Sequence, residues 1–183
     1  MNTKTSIWII GVCFIALATA LILYSRSKPP SVVSMITNGC HATQVNPSDS
    51  QSFLPDTVCT PGVTDSTVIQ TTIIQTICKK GYTATVRPPV SYTEKLKREQ
   101  IIQYGYHDTN LADYEEDHFI PLELGGSPRD PKNLWPEPHP SLNEKDKVED
   151  YLHTEVCAGK ITLMEAQREI TKNWYEVYNS IKI

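Results

Sequence analysis

Residues 114–147 read YEEDHFIPLELGGSPRDPKNLWPEPHPSLNEKDK. Asp117 and His118 are adjacent; Pro121, the pair Gly125-Gly126 and the run Asn133-Leu134-Trp135-Pro136 follow. The stretch can be drawn as strand, irregular loop, strand and helix. Turn chemistry fills the loop, and residues 141–157 carry Leu142, Val148, Leu152 and Val156 at helical spacing before Gly159. Side chains alternate along a strand, so Asp117 and His118 can serve one site only if the chain leaves the strand near them. Taken alone, an adjacent Asp-His pair is an ordinary surface hydrogen-bonding pair; the residues around it give it interest.

In that setting the stretch resembles the HNH (ββα-metal) endonuclease-like family, and its flanks look like an exported bacterial-type HNH-like group. The resemblance implies an α+β fold in which a ββα-metal hairpin–helix unit is surrounded by helices. It makes His118 the general base and Asp117 a metal ligand. Asn133 becomes the residue that ties the hairpin loop together and orients the histidine. The third catalytic element should sit early in the following helix: Asn143 fits best, with Ser141, His139, Asp146 and His153 as competitors. The structural zinc of many HNH proteins needs two C-x-x-C pairs, and this chain has none.

The implied activity is metal-dependent hydrolysis of DNA or RNA phosphodiester bonds. A divalent ion, Mg²⁺ with Mn²⁺ or Zn²⁺ as alternatives, neutralises charge on the phosphate and the departing oxygen. A histidine titrating near neutrality activates the water. Arg129 and Lys132 are candidate phosphate contacts, or solvated loop charges. The rival reading is a catalytically inactive HNH-fold envelope protein, a binding or scaffold module for another protein or the cell wall.

Outward from this core, Leu163, Ala166, Ile170, Trp174, Val177 and Ile181 follow a 3.6-residue period after the capping box Thr162-Leu-Met-Glu165. A second box, Ser91-Tyr-Thr-Glu94, predicts a helix ended by Gly105. Tyr82 to Val86 reads as extended. Thr64 or Asp65 could cap a short helix toward Cys78, although its β-branched residues also suit a strand pair.

The amino-terminal part has a different character. Residues 7–24 form an uncharged apolar run long enough to span a bilayer as a transmembrane helix. They read as a retained anchor or as a signal peptide cut at a small-x-small site. The expected organisation is a short flank at 1–6, the anchor or signal at 7–24, a flexible Ser/Pro/Asn-rich tether at 25–57 and an HNH-like domain at 58–183 with its core at 114–157. The domain is expected on the extracytoplasmic side, tethered or secreted.

Cysteine usage agrees with that side. Cys40, Cys59, Cys78 and Cys157 remain when Cys13 of the apolar run is set aside, and four cysteines allow three pairings. Cys59–Cys78 would clip a short segment and is the favoured pair; Cys157 could also be a buried thiol on a helix. Charge argues against tight, unspecific binding of nucleic acid. Without Lys4, Arg26 and Lys28, 14 of the 17 basic residues face 21 acidic ones, a net −7. A local basic run (Lys79, Lys80, Arg87, Lys95, Lys97, Arg98) is the exception, and by itself also suits a solvated face.

Overall fold

Side chains that bond to nearby backbone shape much of this fold, because long stretches between the regular elements, residues 55–81 above all, are built from turns. The computed structural model describes residues 39–138 and 144–181. The apolar run 7–24, the first part of the expected tether and Asn143 lie outside the described residues. The chain divides into Met1–Asn38 and Gly39–Ile183, so the domain begins well before residue 58.

Residues 39–57 are therefore domain, which corrects the tether boundary. Strands β1 (Thr43–Gln44) and β2 (Phe53–Leu54) form a small antiparallel hairpin. The polar residues that suggested a linker build its turn: Asn46 Oδ1 accepts from Ser48 N–H, Asp49 Oδ1 from Gln51 N–H, and Ser52 is fully buried against the Asn46 carbonyl.

The segment 64–78 is neither helix nor strand pair. Thr64 bridges Gly126, and then a chain of turns begins in which Thr72 Oγ1 accepts from Ile69 N–H and Thr76 Oγ1 donates to the Thr72 carbonyl. Threonines that can bond locally compete with the helix. The apolar positions still reach the core, with Val68, Ile73 and Ile77 buried.

Helix α1 (Tyr82–Val86) replaces the expected extended piece. Helix α2 (Val90–Gln103) starts one residue before Ser91, with Pro89 in the extended cap conformation and no side-chain cap. The Ser91–Glu94 box is thus inside the helix and unused. The second box is used: Thr162 N–H donates to Glu165 Oε2 at 2.8 Å and Glu165 N–H to Thr162 Oγ1 at 3.2 Å.

Strands β3 (Glu115–His118) and β4 (Leu134–Glu137) pair antiparallel, Asp117 opposite Trp135 and His118 opposite Leu134. Helix α3 (Glu144–Cys157) and helix α4 (Leu163–Ile181) follow and pack on each other. Asn173 breaks α4 with extended backbone and its Oδ1 accepts from Tyr175 and Glu176 N–H, capping the second half. The described domain is thus α+β, with two small antiparallel sheets and four helices. Among the described residues no helix is long and apolar enough to cross a membrane.

Two cores form. One joins Val68, Ile73 and Ile77 to Val148, Leu152 and Val156 of α3 and to Leu163, Ala166, Ile170 and Trp174 of α4. The other holds Cys40, Tyr104, Phe119 and Trp135. This division overturns the expected Cys59–Cys78 pairing: the disulfides are Cys40–Cys59 and Cys78–Cys157. Cys59 packs on the second core and Cys78 on the first, so each finds its partner on its own side. Loops of 19 and 79 residues are closed, each worth about 3–5 kcal/mol in loop entropy. Two disulfides are the chemistry of an oxidising, extracytoplasmic compartment.

A Cβ on Gly126 would lie 1.7 Å from the Ile120 carbonyl oxygen, whereas one on Gly159 meets nothing, its φ of +70° being the only obstacle. Gly126→Ala should therefore lose about 3 kcal/mol or more in urea unfolding, and Gly159→Ala about 1 kcal/mol. Similar losses would show that the close approach at Gly126 does not matter.

Candidate functional site

Asn133 positions the loop on which the site depends. Its side chain is fully buried. Oδ1 accepts from Ile120 N–H at 3.0 Å and Val63 N–H at 3.3 Å, while Nδ2 donates to the carbonyls of Ile120 at 3.0 Å and Ser127 at 3.1 Å. Every donor and acceptor of the amide is used. The loop 119–133 is pinned to the end of β3 on one side and to residue 63 on the other.

Pro128 belongs to this loop, and its carbonyl accepts from His118 Nε2 at 3.1 Å. With the proton on Nε2, Nδ1 carries the lone pair. His118 is buried, and burial pushes its pKa below the usual histidine value, against the raising effect of the Pro128 bond and of Asp117. The ring is a neutral base at pH 7.

His118 lines a cavity of about 70 Å³ together with Glu115, Glu116, Asp117, Asp146, Glu149 and Arg87. The chain bends at Phe119, directly after His118, so both members of the pair border it. Burial, reinforced by Asp117 and Asp146, raises Glu115 to about 7. Burial likewise raises Glu116 to about 9, and neither of its oxygens has a hydrogen-bond partner among the described residues.

Asp117 is already engaged. Trp135 Nε1 donates to its Oδ2 at 3.1 Å, and the ammonium of Lys145 lies 3.1 Å from Oδ1 and 3.0 Å from Oδ2. Lys145 is 1% exposed; it also donates to the His118 carbonyl at 3.2 Å and pairs with Glu149. Burial alone would lower its pKa, but Asp117, Glu149 and Glu137 hold it above the usual lysine value, so it stays charged.

The other expected site residues are scattered. Asn143, Ser141 and His139 lie outside the described residues. Of the competitors, Asp146 lines the His118 cavity, whereas His153 faces a different one. Arg129 is exposed and stacks over the Tyr92 ring at 5.6 Å, and Lys132 is exposed; neither lines the His118 cavity. Arg87, Lys145 and Glu149 were not singled out as site residues. Lys145 was legible in part: with Val148, Leu152 and Val156 it falls on the buried stripe of α3, a place where a lysine needs a partner.

The chain matches none of the family models, curated proteins or solved structures compared with it. The carboxylates of the His118 cavity are hard oxygen donors of the kind that hold Mg²⁺, and a cation there would favour the charged forms of Glu115 and Glu116, which burial disfavours. Among the described residues, however, the ligand atoms that come within 4.8 Å of one another are those of Cys78, His153 and Cys157, a group that could hold a metal ion. Cys78 and Cys157 form a disulfide there.

Lys145→Met should cost about 3–5 kcal/mol, because it strands Asp117 and Glu149 without their counter-charge. The triple variant Asp117→Asn/Lys145→Met/Glu149→Gln should recover most of that loss in denaturant titrations. A harmless single substitution would show that Lys145 carries no ion pair in solution.

Proposed function

We propose that the domain is an HNH-type, metal-dependent nuclease that hydrolyses phosphodiester bonds of DNA or RNA outside the cytoplasm. In this reading β3, β4 and α3 form a ββα-metal unit. The observation that carries it is the fixed His118: Nε2 bonded to the Pro128 carbonyl, Nδ1 left with its lone pair, and the ring bordering the same acid-lined cavity as Asp117.

His118 accepts the proton of the attacking water. Asn133 is a positioning residue: it holds the loop that presents Pro128 and so keeps the histidine in one tautomer. Asp117 and Asp146 would hold the ion, Asn143 remaining a further candidate, and the bound ion supplies positive charge to the phosphate and the departing oxygen. Arg87, exposed on the cavity rim, adds a forked donor suited to a phosphate.

Substrate affinity depends on local charge, given the net −7. Within the basic run Lys97 is occupied by the carbonyls of Leu111 and Tyr114, and Arg98 pairs with Glu94. Lys79, Lys80, Arg87 and Lys95 are left as the cationic surface. The run 7–24 would hold the domain at the membrane, or release it if cleaved as a signal.

One observation favours the second reading, a non-catalytic HNH-fold envelope module that binds a protein partner. The Lys145 ammonium already neutralises Asp117, and an ion at that carboxylate would have to share it with a buried lysine.

The test is a cleavage assay on the full-length chain in detergent, with plasmid DNA and single-stranded RNA, in Mg²⁺, Mn²⁺ or chelator. Cleavage should require the metal, and His118→Ala should lower the rate about 10²–10⁴-fold. Activity that survives His118→Ala or chelation would sink the nuclease reading. Absence of cleavage under every metal leaves the binding module.

A further inference from the structure

Helix α3 carries His153 and Cys157 one turn apart, so both side chains lie on one face of the helix. Cys78 comes from the turn segment packed opposite and closes the disulfide with Cys157, the Cα atoms 5.6 Å apart. A ring nitrogen of His153 and both sulfurs lie within 4.8 Å of one another. The histidine is also oriented: its Nε2 is 2.9 Å from the Ile77 carbonyl. A ring that donates one N–H to a backbone carbonyl has its other nitrogen free as a lone pair, the arrangement that orients metal-binding histidines.

His153 and Cys78 border a cavity of about 200 Å³ that also receives Glu123, Lys79, Lys80 and Tyr82. The cluster is half-buried, so a reductant and an ion can reach it. None of these groups belongs to the cavity around His118.

We propose that reduction of the Cys78–Cys157 disulfide turns this cluster into a binding site for a thiophilic d¹⁰ cation such as Zn²⁺, held by Cys78, Cys157 and His153. A dithiol supplies the reduction: two electrons and two protons pass to the disulfide, giving two thiols, and the dithiol becomes a disulfide. Binding then releases two protons as both thiols become thiolates. Two sulfurs and one imidazole nitrogen are a donor set for tetrahedral zinc, with Zn–S about 2.3 Å and Zn–N about 2.0 Å. Glu123 lines the same cavity as Cys78 and His153 and would be the nearest candidate for a fourth ligand, with water as the other. The disulfide and the ion are alternative staples at one point, each joining the turn segment to α3. The proposal does not depend on the nuclease reading.

The experiment uses the full-length chain with Cys13→Ser, reduced by a phosphine and titrated with Co²⁺ under anaerobic conditions. Thiolate-to-cobalt charge-transfer absorption and tetrahedral d–d bands should saturate at one ion per chain. The oxidised chain should show neither. Zn²⁺ should displace the cobalt and protect Cys78 and Cys157, but not Cys40 and Cys59, from alkylation. His153→Gln should weaken binding at least tenfold and shift the d–d bands, while Cys40→Ser/Cys59→Ser should leave them unchanged.

Equal cobalt binding by the oxidised chain, protection of Cys40 and Cys59 instead, or no thiolate band after reduction would each overturn the proposal. So would a reduced chain that loses its circular dichroism and does not regain it with Zn²⁺.

Discussion

The amide of Asn133 is the contact on which the centre of this domain depends. The loop from Phe119 to Asn133 contains Pro121, Pro128 and Pro131 and little regular structure, and its backbone pairs with itself mainly in tight local turns, such as Leu124 N–H to the Pro121 carbonyl. A single buried side chain bonds to four of the backbone groups around it, drawn from positions 63, 120 and 127. Gly126 lets the loop pass against Ile120 at a distance no side chain would allow. The position of Pro128, and with it the tautomer of His118, follows from that knot.

Around the knot, charge is concentrated and poorly solvated. Five carboxylates, Glu115, Glu116, Asp117, Asp146 and Glu149, border one small cavity with His118 and Arg87, and Lys145 is buried beneath them. Such a site is polarised whatever it does: it attracts cations and resists a second anion unless a cation accompanies it, while burial, against the pull of Asp117, holds the His118 pKa down. The same arrangement serves an ion-assisted hydrolase or a rigid polar core, and the partner held by Asp117 decides between them.

Legibility in the sequence followed the range of the interactions. The helix from Leu163 was visible because its period, its capping box and its burial are set within a few residues of each other. So were the two strands and their order, which need only a breaker-rich loop between them. The segment 64–78 was misread because its apolar residues have helical spacing while its threonines bond to neighbouring peptides. The linker composition of residues 39–57 hid a hairpin whose stability comes from a disulfide and from contacts with α4, as in the Trp174 Nε1 bond to the Phe53 carbonyl at 2.8 Å. The disulfide pairs were not legible, since loop length says nothing about which of two cores a cysteine faces. Within the candidate site Asp117, His118 and Asn133 were singled out from the sequence, but the partner of Asp117 was not. That partner is a lysine 28 positions away, fixed by how α3 meets the hairpin.

The two cross-links also determine how the domain behaves when its chain is cut or pulled. Cys78–Cys157 encloses β3, the loop, β4 and nearly all of α3 in one covalent ring. A protease that nicks any peptide bond between these cysteines leaves both products joined, with His118, Asn133 and Lys145 still in one molecule. Tension applied through the two ends bypasses the interior of each ring, so the hairpin near the amino terminus and the His118 site bear no load while the sulfur bridges last. For a domain of an oxidising, extracytoplasmic compartment, this is resistance to cleavage built into connectivity and not into packing.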